Sequence, residues 1–126
     1  MSSSILIVDD NALIRQLIRS YIELHSDWHV CGEAENDKVA VEKVKDLQPD
    51  VVVLDFQMPI MNGLEAAREI AQVAPSTAMV MLTMHNSHQL WKDAQAAGIK
   101  EVLSKSDGVW DHLIPSLRNA VLNAGS

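Results

Sequence analysis

The stretch "VVVLDFQMP", residues 51–59, decides how this chain is read. Four apolar residues run straight into Asp55, and Pro59 follows four positions later. A short, continuous apolar run suits a strand buried on both faces. Asp55 is then either a turn residue closing that strand or a carboxylate displayed at its end.

Working outward, the apolar pattern alternates between two forms. Short runs rich in apolar and β-branched residues occur at Ile5–Val8, Trp28–Cys31, Val51–Leu54, Met79–Leu82 and Val102–Leu103. Segments with helical spacing lie between and after them. Leu13, Ile14, Leu17, Ile18, Tyr21 and Ile22 form one stripe, with Arg15, Gln16 and Arg19 off it. A second helix carries Val41, Val44 and Leu47. A third opens at Asn62-Gly63, carries Leu64, Ala67, Ile70 and Ala71, and ends before Pro75. Ser87 is a good N-cap for a fourth, and Gly98 a good C-terminal stop. The last opens near Asp107 and carries Trp110, Leu113, Ile114, Leu117 and Val121. Pro115 inside it should kink it, or delay its start to about Ile114. A β-α unit repeated in this way predicts an α/β fold, a parallel sheet with helices on both faces.

Composition narrows the function classes. At 126 residues with 48% apolar content, one domain with a sizeable core is expected. No apolar run approaches the roughly 18 residues needed to cross a bilayer, so no membrane association is expected. "MSSSILIVDD" lacks the basic region of a signal peptide. A single cysteine, Cys31, excludes an internal disulfide framework and fits a reducing, cytoplasmic setting, where it reads as a small core residue. Ten Lys and Arg against 17 Asp and Glu give a net charge of -7. Without a basic stripe, direct binding of nucleic acid is not expected.

Ligands of an open α/β sheet gather at the carboxyl ends of its strands. Those ends present Asp9 and Asp10, then Asp55, Thr83, and Ser104-Lys105. Glu33 and Glu35, after the second strand, read as solvated loop residues. Each rim residue alone has an ordinary explanation: a helix cap at Asp10 or Asn11, a strand threonine, a surface lysine. Together they put three carboxylates side by side, which repel one another unless a cation sits among them. A hard divalent ion suits such an all-oxygen site, and Mg²⁺ typically takes one or two carboxylates and keeps several waters. Lys105 offers a second, fixed positive charge. A carboxylate beside Mg²⁺, an ammonium and a hydroxyl is an arrangement for accepting a phosphoryl group.

Four segments carry a family resemblance: "ILIVDDN", "VVVLDFQMPIMNGLEAAREI", "MVMLTMH" and "AAGIKEVLSKS". In this order and spacing they resemble the receiver domain of bacterial two-component response regulators over about residues 4 to 123. "LTMH" and the Lys-Ser pair are similar to the NarL/FixJ class, whose members usually carry a C-terminal helix-turn-helix. The resemblance implies a flavodoxin-like, doubly wound sheet of five parallel strands in the order 2-1-3-4-5. It implies one receiver domain over residues 1–126, with no output domain in this chain. It also implies Asp55 as phosphoacceptor, Thr83 as switch hydroxyl and Lys105 as the phosphoryl-binding lysine. Mg²⁺ would be held by Asp9, Asp10, Asp55 and the backbone carbonyl of Gln57, with Asp10 the more direct ligand of the acidic pair. The implied partners are a sensor histidine kinase or phosphotransfer protein. A homodimer would form through the fourth helix, fifth strand and fifth helix, or through the first and fifth helices. The expected role is a signalling phosphoacceptor with at most slow self-dephosphorylation, not an enzyme, controlling transcription through an output domain or partner. The alternative is a receiver-like interaction module that phosphorylation does not regulate.

The family pattern is broken in two places. Val102 stands where a Tyr or Phe often serves as a rotating switch, and Ser106 stands where a proline commonly follows the lysine. Gln57 and His85 occupy the two variable positions that flank the phosphoryl group. A haloacid-dehalogenase-type phosphohydrolase would need an acid at Gln57. A nucleotide or flavin binder would need a glycine-rich phosphate cradle that the sequence lacks. Met79, Met81 and Met84 read as core packing. His85 and His88 read as solvated loop residues, and Trp91 as covering the core's edge or as an exposed partner anchor.

Overall fold

Each apolar run is a strand and each amphipathic stretch a helix. The computed structural model describes residues 4–55, 63–84, 87–105 and 108–123. The order is β1 (Ser4–Val8), α1 (Ala12–His25), β2 (His29–Ala34), α2 (Asp37–Leu47), β3 (Val51–Asp55), α3 (Gly63–Val73), β4 (Ala78–Thr83), α4 (His88–Ala96), β5 (Glu101–Ser104) and α5 (Val109–Asn123). The five strands form one parallel sheet in the order β2-β1-β3-β4-β5. The fold is therefore the doubly wound, flavodoxin-like one expected.

The continuous apolar runs resolve into two alternating sets, because successive strand side chains point to opposite faces. Ile5, Ile7, Val51, Val53, Val80 and Leu82 pack with Ile18 and Ile22 of α1 and Leu113 and Leu117 of α5. Leu6, Val8, Val52, Leu54, Met79 and Met81 pack with α2, α3 and α4 through Ala40, Val44, Ala66, Ile70, Leu90 and Ala94. The sheet is thus buried on both sides, and Met79 and Met81 are core residues as expected. Met84 is exposed.

Local signals place the helix ends. Asn11 caps α1 by accepting from the Leu13 and Ile14 amides, and Ser87 caps α4 by accepting from Leu90. At the end of α4, Gly98 adopts φ +95°. Its amide donates to the Gln95 carbonyl and the Ile99 amide to the Ala94 carbonyl, a Schellman closure that a side chain at position 98 would strain.

Four other expectations need correction. β2 begins at His29 and continues to Ala34, so Glu33 is a strand residue and not a solvated loop residue. Cys31 is half-buried on that edge strand, its Sγ 3.4 Å from the Ile5 carbonyl, not a core residue. Helix α5 runs unbroken from Val109 through Pro115, which lies on its exposed side, where water can satisfy the carbonyl left unpaired. The α1 stripe spans about half the helix circumference at about 100° per residue, wider than the face the sheet covers. Ile18 and Ile22 are buried, while Leu13 and Leu17 are exposed. Trp91 stays 43% exposed, so it does not close the core's edge, and His88 is exposed as expected.

Candidate functional site

The strand order reverses between β1 and β3, and the crevice at such a reversal opens at the strands' carboxyl ends. Register then decides which residues meet there. Val8 pairs with Leu54, so Asp9 lies level with Asp55. Asp55 pairs with Leu82, and Thr83 with Ser104. Thr83 thus stands one step beyond Asp55 and Lys105 two, and the Lys105 amide donates to the Thr83 carbonyl at 2.7 Å.

The side chains converge accordingly. Lys105 Nζ lies 2.9 Å from Asp55 Oδ1 and 3.7 Å from Asp9 Oδ2. Oxygens of Asp9, Asp10 and Asp55 lie within 4.8 Å of one another. Asp9, Asp55 and Thr83 are buried, and Asp10 is exposed. Gln57, expected to offer its carbonyl, and His85 lie outside the described residues. The other five sequence-predicted site residues are on one rim.

The electrostatics of this rim are unbalanced. Burial, aided by the charge of Asp55, pushes the Asp9 carboxyl up to about 6 from 3.8, although the Asn11 amide and Lys105 pull the other way. The Asn11 amide donates to Asp9 Oδ1 at 2.9 Å, whereas the buried Oδ2 has no hydrogen-bond partner. A buried carboxylate oxygen facing two more carboxylates, with one ammonium at ion-pair distance, is suited to a hard cation that takes oxygen ligands. Mg²⁺ fits this donor set.

Of two further buried or half-buried acids, the sequence misplaces Glu33 in a solvated loop and does not single out Asp37. Glu33 accepts from Arg15 Nε at 2.9 Å and from Arg19 Nη1 at 2.6 Å. Arg15 Nη1 also donates to the backbone carbonyl of Asp9 at 2.6 Å. The i, i+4 spacing of the two arginines beside the buried stripe was the available signal. Asp37, the first residue of α2, is fully buried with both carboxylate oxygens unpartnered.

Residues 5–110 match the family described as the response regulator receiver domain. The chain belongs to the response regulator receiver family. It is 36% identical over 105 residues to the chemotaxis protein CheY of Thermotoga maritima, covering 83% of this chain and 87% of that protein. It is 34% identical over 123 residues to the transcriptional regulatory protein YdfI of Bacillus subtilis, covering 95% of this chain and 57% of the regulator. Among solved structures, the response regulator domain of Thermotoga maritima CheB superposes with a TM-score of 0.89 at 30% identity, over 97% of this chain and 98% of that one. A LuxR-family two-component response regulator from Aurantimonas sp. SI85-9A1 gives 0.91 at 27% identity, over 97% and 86%. Receiver domains are signalling modules that work with histidine kinases or phosphotransfer proteins and generally bind Mg²⁺ in an acidic pocket, and Asp9, Asp10 and Asp55 form an acidic cluster in this structure. Similarity extends to chemotaxis proteins as well as transcriptional regulators. No described helix is long and apolar enough to cross a membrane.

Proposed function

We propose that this receiver accepts a phosphoryl group on Asp55 from the phosphohistidine of a sensor histidine kinase or phosphotransfer protein. The observation that supports this most is the convergence of Asp9, Asp10, Asp55 and Lys105 at the reversal point of the sheet. An Asp55 carboxylate oxygen forms the new bond to phosphorus as the bond to the imidazole nitrogen breaks. Lys105, now paired with Asp55, turns to a phosphoryl oxygen. The buried Thr83 hydroxyl moves toward another, taking the exposed Met84 and the chain beyond it along. Asp9, Asp10, Asp55 and the Gln57 carbonyl would hold Mg²⁺, whose charge offsets that of the phosphoryl oxygens when it is bound. With Val102 half-buried against the α2–α4 side and no aromatic ring there, the signal travels mainly through the segment after Thr83.

On this reading residues 1–126 act as one receiver in the cytoplasm. Its output is transcription control through an output domain or partner outside these residues, in the manner of the NarL/FixJ class. The similarity to YdfI and to the LuxR-family structure supports that class. For self-association, α1 and α5 are favoured over the α4–β5–α5 face. Leu13, Leu17, Leu24 and Trp110 are exposed there, beside an apolar groove of about 270 Å³ lined by Ile14, Leu17, Val109 and Trp110.

The test is Mg²⁺-dependent labelling by a small phosphodonor such as acetyl phosphate. The wild-type chain should label and Asp55→Asn should not. Equal labelling of the two would sink the assignment. No labelling of the wild type, even by a kinase, would leave the contact-only module as the function.

A further inference from the structure

We infer that Arg15 is a positioning residue for the acidic cluster, holding the peptide that aims Asp10; this rests on the Mg²⁺ reading above. The carbonyl that Arg15 Nη1 grips at 2.6 Å belongs to the peptide joining Asp9 to Asp10. Asp9 is already fixed, since its amide donates to the Ala34 carbonyl at 3.0 Å and its side chain accepts from Asn11. Asp10 is the exposed member of the cluster, just past the end of β1. The direction in which it leaves the strand depends on the plane of that peptide, and the guanidinium holds the plane.

Arg15 can do this because its other edge is anchored. Its Nε donates to Glu33 Oε1 at 2.9 Å, and only 15% of its side chain is exposed. Glu33 in turn is a fixed post. Its backbone is paired with Ile7 in the sheet, its carbonyl accepts from Lys43 Nζ at 2.6 Å, and its second carboxylate oxygen accepts from Arg19. A planar guanidinium spans the two acceptors in a set geometry, which an ammonium does not reproduce. Arg19 makes the informative contrast. It holds the same carboxylate, but its other contact is the Val30 carbonyl at 3.2 Å, away from the cluster.

Partners that orient a metal's ligands typically contribute about 10- to 100-fold in metal affinity. Simple electrostatics predicts the opposite sign, because deleting a nearby cation should strengthen binding of another. The experiment is a calorimetric Mg²⁺ titration of the wild type, Asp10→Asn, Arg15→Gln, Arg15→Lys, Glu33→Gln and Arg19→Gln, at fixed ionic strength. Thermal unfolding of each metal-free protein separates stability from affinity. Arg15→Gln and Arg15→Lys should weaken Mg²⁺ binding by about 10-fold or more, and Arg19→Gln should stay within about 2-fold of wild type. Glu33→Gln, which takes the charge and one of the two acceptor oxygens from the anchor without touching Arg15, should weaken binding as well and serves if Arg15→Gln does not fold. Wild-type affinity in Arg15→Gln or Glu33→Gln, or an equal loss in Arg19→Gln, would overturn the inference while leaving the Mg²⁺ site standing. Indistinguishable binding by wild type and Asp10→Asn would remove both.

Discussion

Acids stand at the ends of three neighbouring strands in opposite circumstances. Near the end of β2, Glu33 meets two guanidinium groups, one on each carboxylate oxygen. At the ends of β1 and β3, Asp9, Asp10 and Asp55 cluster around Lys105 alone among the described cations. In the first arrangement each carboxylate oxygen has its own cationic donor, and the group joins α1 to the sheet. The second carries excess negative charge in a buried place, which costs stability unless a cation arrives. The first acid ties a helix to the sheet, and the acid-rich cluster is suited to a cation. The two are linked by one residue, Arg15, which touches both.

Several experiments would break or sharpen this contrast. The largest effect is expected at Lys105. On the proposed function, Lys105→Ala removes the fixed cation that would steady the transferring group, and should slow labelling of Asp55 by about 100-fold. Labelling kinetics with Mg²⁺ saturating would check it, and an unchanged rate would show that the ammonium takes no part. Next comes Glu33→Ala in the metal-free protein, which leaves two arginines, one mostly buried, without their carboxylate. A loss of roughly 1–3 kcal/mol is expected, between the exposed and the fully buried cases. Urea unfolding reads it, and a neutral result would make the matched pair ornamental.

Asp9 should behave in the opposite sense. Its carboxyl is held at about 6 when folded, mainly by burial, against 3.8 unperturbed. Between those values the folded protein keeps a proton that the unfolded chain has released. The contribution of Asp9 therefore lowers stability as pH rises from about 4 to about 6 and is level above that. In EDTA, Asp9→Asn should flatten this slope and stabilise the protein by roughly 1–2 kcal/mol at pH 7.5. A wild-type-minus-variant stability that grows with pH over that window would show the acid to be compensated. The smallest effect belongs to Arg19→Gln, about 1 kcal/mol or less by thermal unfolding, because 40% of that side chain is exposed. A larger loss would mean that Arg19, and not Arg15, carries the matched pair.

Much of this molecule is legible in its sequence. Val51–Leu54 and its sister runs are continuous because both sheet faces are covered, and a short apolar run bounded by polar residues has few other uses. The strand-end rule then placed Asp9, Asp10, Asp55, Thr83 and Lys105 on one rim without knowledge of their distances. Less could be read of α1, since helical periodicity identifies an apolar stripe but not how much of it a neighbour covers. Leu13 and Leu17 belong to the stripe and still face outward. Pro115 misled because the rule against proline in helices concerns one hydrogen bond and one clash, and on the exposed side of α5 both are tolerated.

The sequence by itself determined the strand and helix order, the parallel sheet and the set of residues at its carboxyl rim, because these follow from side-chain period and chain direction. Only the tertiary structure decided which acids are matched. Glu33 lies 18 residues from Arg15, and Lys105 lies 50 from Asp55. Charge balance depends on who stands within a few ångströms, and that distance is set by strand register and helix packing, which local sequence does not encode.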